Sequence, residues 1–109
     1  MIHDTIRQLE AGLQSNQIPE GKRAELVALL ATLRAEVQSL DSTHPEQARS
    51  IAGFTHISTH EATRLEKNPG ALAHALAGLR SSVAGFEQSN PRLVQAVNSV
   101  CTALANLGI

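Results

Sequence analysis

The chain has 109 residues, 42% of them hydrophobic and 17% charged, with a formal net charge of -1. That length supports one domain, here residues 1–109, and folding could bury about 65% of the surface an extended chain exposes, so a core needs neither metal nor disulfide. Nine Lys and Arg against ten Asp and Glu give no basic field for nucleic acid, and two Phe with no Trp or Tyr leave no stacking platform for single strands or sugars.

The first thirteen residues carry Asp4 and Glu10 and hold no apolar run of signal-peptide length. No window approaches the ~18 apolar residues of a membrane span. A single cysteine, Cys101, makes no intrachain disulfide, so the expected compartment is the reducing cytoplasm.

Helical periodicity dominates the chain. Ile2, Ile6, Leu9 and Leu13 are spaced 4, 3 and 4 and predict a short first helix, closed by Ser15-Asn16-Gln17. Pro19-Glu20 starts the second, whose Leu26, Leu30, Leu33, Val37 and Leu40 form the cleanest stripe, widened by Leu29. The short polar break between these two helices predicts an antiparallel hairpin. His44 or Thr43 then caps a third helix, with Pro45 and Glu46 in its first turn, running to about Lys67.

That third helix is the weakest amphipath. Ile51, Phe54 and Leu65 fit one stripe, but Ser58 and Glu61 fall where the stripe should continue. Its centre, Thr55 to His60, is rich in β-branched and hydroxyl residues, so propensity alone admits a strand. Helix is expected because the flanks carry helical caps and nothing else in the chain could pair with a lone strand.

Asn68-Pro69 opens the fourth helix, with Leu72, Leu76, Leu79, Val83 and Phe86 on one stripe. Asn90-Pro91 opens the last, with Leu93, Val97, Val100, Leu104 and Leu107, and Gly108 closes it while Ile109 folds back. The phase survives across Pro91, which permits a break capped by Asn90 or one kinked helix; a bend with two segments is favoured, because the residue before proline avoids the helical region. The expected fold is all-α, a bundle of four or five helices with the N-terminal hairpin packed on a bent C-terminal pair.

Charge is distributed unevenly. Residues 69–109 hold only Arg80, Glu87 and Arg92, and Ala, Ser, Asn and Gly occupy the positions where a surface helix usually carries charge. Either the other helices bury this pair within a monomer, or a second copy covers it. The second is favoured, as a dimer, because the third helix lacks an apolar stripe to wrap the pair. Val94 and Cys101, flanking the main stripe, are the expected interface positions.

Motifs for chemistry are sparse. His56 and His60 share a helix face and Glu61 follows, a plausible start to a metal site that needs His74 or His44 as a further ligand. The spacing H-x-x-x-H-E is not that of zinc proteases, and solvated or capping histidines are the favoured reading of the pair. Cys101 has no neighbouring Lys or Arg in sequence to favour a thiolate. No nucleophile elbow, phosphate loop or dinucleotide turn occurs. No catalytic residue and no cofactor is expected, nor any nucleic-acid or membrane partner.

One resemblance exists. His60-Glu61-Ala62-Thr63-Arg64, Asn68-Pro69, His74-Ala75-Leu76, Gly78-Leu79, Phe86-Glu87, Pro91-Arg92-Leu93, Val97-Asn98-Ser99 and Leu104-Ala105-Asn106-Leu107-Gly108-Ile109 resemble a small bacterial family catalogued as domain of unknown function number 4404. The likeness is most specific over residues 60–109, and Asn90 stands where that family is expected to carry a histidine. It implies a short bacterial cytoplasmic protein and brings no catalytic residue, cofactor or partner. The expected role is a self-associating structural or interaction module; a metal-binding helical protein using His56, His60 and Glu61 is the alternative.

Overall fold

The computed structural model describes residues 20–108. The first predicted helix, and with it the N-terminal hairpin, lies outside the described residues, as does the fold-back of Ile109. The described residues form four helices and no strand: α1 (Glu20–Asp41), α2 (Pro45–Thr63), α3 (Pro69–Ser82) and α4 (Pro91–Gly108). Residues 54–60 are regular helix, so the β-branched centre of α2 yields to its helical flanks and tertiary packing.

Three of the helices start as their sequence dictates. Pro45, Pro69 and Pro91 each occupy a first turn, where a missing N–H costs nothing. Asn68 Oδ1 accepts from Ala71 N–H at 3.0 Å and caps α3, and Asn90 Oδ1 accepts from Leu93 N–H at 3.4 Å and caps α4. His44 occupies the cap position of α2 without bonding its side chain to the helix; its Nδ1 lies 2.8 Å from Thr43 Oγ1.

Two predicted helix ends are shorter than periodicity suggests. α2 stops at Thr63 rather than near Lys67, because Arg64 turns extended ahead of the Asn68-Pro69 start, and Lys67 Nζ donates to the freed Ala62 carbonyl at 2.6 Å. α3 stops at Ser82 rather than Phe86. Val83 N–H closes the end onto Arg80 and Ser81 carbonyls, and Gly85 takes φ +96°, a left-handed conformation that a side chain would strain. Eight residues therefore separate α3 from α4, and the continuity of a single bent helix is absent. The stripe still survives this break: Val83 is buried and Phe86 is half-buried against the core.

α2 and α4 each pack on all three other helices, whereas α1 and α3 do not meet. The core is built mainly from the predicted stripes: Leu26, Leu30, Leu33, Val37 and Leu40 of α1, Leu72, Leu76 and Leu79 of α3, and Leu93, Val97, Val100 and Leu104 of α4. α2 differs. Its buried face is Ala48, Ile51, Ala52, Thr55, Ser58, Thr59 and Ala62, so the predicted stripe of Ile51, Phe54 and Leu65 is not the face that packs inward. Phe54 and Leu65 are exposed.

Phe54 instead lies across Gly78 of α3. A Cβ at Gly78 would stand 2.6 Å from Phe54 Cδ1, so only glycine admits the ring there. Gly78→Ala ordinarily gains about 0.5–1 kcal/mol in a helix interior, and here displacing the ring opposes that gain. We expect Gly78→Ala to leave stability unimproved in the wild type and to raise it by about 0.5–1 kcal/mol in a Phe54→Ala background. Urea titrations of the four proteins read the coupling directly. Equal effects in both backgrounds would show that the ring does not constrain Gly78.

Candidate interaction surface

α4 is amphipathic in an unusual sense. Its inner face is apolar, and its outer face from Gln95 through Asn98, Thr102 and Asn106 is polar without a single charge. Beside this face a groove of about 590 Å³ runs between α1 and α4, lined by Glu25 and Leu29 from α1 and by Val94, Asn98, Thr102 and Ala103 from α4. Leu29, Val94 and Ala103 are half-buried and pack on the core from its margin. Of the two expected interface residues, Val94 stands at this surface.

Cys101 does not, and the expectation is corrected. Its side chain is 0% exposed within the chain's own core. The physical reason is that α4 packs on three helices, so it buries a wider arc than its 4-3 stripe alone; Ala96 and Cys101 flank that stripe and are both buried. Burial pushes the thiol above its ordinary value, and the Arg80 guanidinium offsets this only in part. A neutral, enclosed thiol is neither nucleophile nor ligand.

The histidines do not converge. His60 Nε2 lies 4.0 Å from Glu61 Oε2, but Glu61 is engaged by Arg64, whose Nη1 donates to Oε1 at 3.0 Å. His56 and His60 lie on the exposed face of α2, His74 is exposed on α3, and His44 meets the Phe86 ring edge-on at 5.5 Å between centroids. Among the described residues no group of three or more His, Cys, Asp or Glu is placed to hold a metal ion. His56, His60 and Glu61 thus gain no further ligand from His44 or His74.

A second surface escaped the sequence pattern. Phe54, Ile57 and Leu65 are exposed by 37%, 49% and 87% around the outer side of α2 and the turn that follows it. The signal was present, since these residues were apolar on a helix whose stripe was broken. Periodicity assigned two of them to the core because it reads spacing, not which neighbour is available.

Fold and surface together define an all-α domain whose distinguishing features among the described residues are surfaces rather than a cluster of reactive groups. The chain belongs to a known family: the profile described as Domain of unknown function (DUF4404) matches residues 2–109. No curated protein and no solved structure matches it. No helix among the described residues is long and apolar enough to cross a membrane.

Proposed function

We propose that this protein is a non-catalytic helical module that self-associates through the groove between α1 and α4 and the neutral outer face of α4 beside it, with Glu25 and Glu87 at the groove rim, and that it works in the bacterial cytoplasm. The observation that carries the reading is the composition of the α4 surface. Gln95, Asn98, Thr102 and Asn106 exchange hydrogen bonds with a facing helix without the desolvation cost of unpaired charges. Leu29, Val94 and Ala103 supply apolar contact in the groove beside them. A two-fold arrangement uses this same patch on both copies. One buried cysteine suits a reducing compartment.

Sedimentation equilibrium over a concentration series tests the reading. A stable dimer buries on the order of 1,600 Å² in total, and the wild type should associate at micromolar concentration. Val94→Glu should weaken association at least ~10-fold, because the carboxylate must lose water at the seam, while leaving helical circular dichroism intact. A wild type that stays monomeric at high micromolar concentration rules out self-association. Unchanged association of the variant moves it to another surface.

A further inference from the structure

We infer that the groove between α1 and α4 receives residues 2–13 of a second copy, so that the two chains exchange their N-terminal segments. This rests on the self-association proposed above and names the segment that makes it. Shape is the first argument. The groove, of about 590 Å³, is concave, and Leu29, Val94 and Ala103 lie half-buried in its walls. A two-fold contact sets this patch against its own copy, and one groove does not fill another. Something convex and apolar has to enter it. Among the described residues the large exposed hydrophobics are Phe54, Ile57 and Leu65, on α2 and the turn after it. Phe54 belongs to the seam of α2 with α3, and α1 makes no contact with α3. Seating that side in the groove gives a head-to-tail contact, which extends as an array instead of closing as a dimer.

The remaining apolar stripe of the chain precedes α1, outside the described residues. Ile2, Ile6, Leu9 and Leu13 share one face of a helical segment. A helix over residues 2–13 is ~18 Å long, and the α4 wall of the groove, from Pro91 to Asn106, runs ~22 Å at the same rise per residue. The point of attachment also fits. Residues 14–19 join the segment to Glu20, and the α1 wall of the groove, Glu25 and Leu29, follows within three turns. Such a link spans up to ~20 Å when extended, enough to cross a two-fold seam. Area then selects the second copy over the chain itself. A stable dimer buries on the order of 1,600 Å² in total, from about 20–30 residues a side. With each segment seated in its own chain, the contact keeps only the outer face of α4, namely Gln95, Asn98, Thr102 and Asn106. Exchange adds two helix-length apolar seams to the same interface.

Paramagnetic broadening between differently labelled full-length chains tests the exchange. A nitroxide is attached at Ala11→Cys, opposite the stripe, in a Cys101→Ala background without isotope label. This protein is mixed with nitrogen-15 chains that carry no nitroxide, diluted to dissociation and reconcentrated. Amides of Leu29, Val94, Asn98 and Thr102 should broaden in the mixture and recover when ascorbate reduces the nitroxide, while those of Phe54 and Ile57 stay sharp. Broadening of the groove amides only when nitroxide and nitrogen-15 share one chain would overturn the exchange, because the segment then seats in its own chain. So would broadening centred on Phe54 and Ile57. Sedimentation equilibrium of Ile6→Asp/Leu9→Asp separates this inference from the reading beneath it. The variant should associate at least ~10-fold more weakly than the wild type, with the helical circular dichroism of α1 to α4 retained. Unchanged association would strike out the segment and leave self-association standing. A wild type that is monomeric at high micromolar concentration would remove both.

Discussion

A charge introduced at Cys101 is expected to unfold the domain, whereas the same charge at Val94 is expected to leave it folded. Both positions flank the 4-3 stripe of α4, so periodicity gives no reason to separate them. Packing separates them. Cys101 is fully enclosed, and an aspartate there must either stay ionised in an apolar setting or take up a proton and still bury an unpaired carboxyl. The Arg80 guanidinium lowers the thiol's tendency to stay neutral but does not reverse the effect of burial, so it gives an aspartate only partial relief.

The resulting penalty is on the order of 5 kcal/mol, against a total stability of roughly 5–15 kcal/mol for a domain of this size. Cys101→Asp should therefore lose most of its helical circular dichroism at 25 °C. Val94→Asp keeps its side chain at the groove margin, where water solvates the charge, and should lose less than about 1 kcal/mol. A folded Cys101→Asp protein with a cooperative thermal transition near that of the wild type would contradict the burial assigned to this position. So would equal destabilisation at the two sites.

The same contrast explains how far the sequence could be read. In α1, α3 and α4 the Leu and Val positions recur every three or four residues without interruption, and such a stripe has only one way to face a core. Leu30, Leu79 and Leu104 are accordingly fully buried. What periodicity does not encode is arc width. Among the described residues α4 meets three helices and buries Ala96 and Cys101 beside its stripe, while α1 meets two and leaves Leu29 half-buried in a groove. The groove itself had no sequence signature beyond that leucine and Val94, since the rest of its wall joins the isolated carboxylates Glu25 and Glu87 to neutral polar residues of α4, from segments far apart in the chain. The break between α3 and α4 was marked by Asn90-Pro91, yet its length was set by Gly85, an isolated glycine that looked no different from the others.

α2 is where pattern and packing part company, and its side chains offer a sharp measurement. The sequence stripe assigns Ile51, Phe54 and Leu65 equal standing as core residues. The structure ranks them: Ile51 is 0% exposed, Phe54 lies over Gly78 with part of its ring in water, and Leu65 is almost fully exposed beyond the helix end. Ile51→Ala removes the one bulky group on the inner face and leaves a cavity among alanines and hydroxyls too small to fill it, at a cost of about 2–5 kcal/mol. Leu65→Ala removes surface that never left water and should change stability by less than about 0.5 kcal/mol. Phe54→Ala should fall between them, because the ring lies over Gly78 at the surface and is already 37% exposed. Urea midpoints at constant m-value provide the ranking. If Leu65→Ala costs as much as Ile51→Ala, α2 packs on its sequence stripe after all, turned about its axis from the orientation in which Thr55, Ser58 and Thr59 face inward.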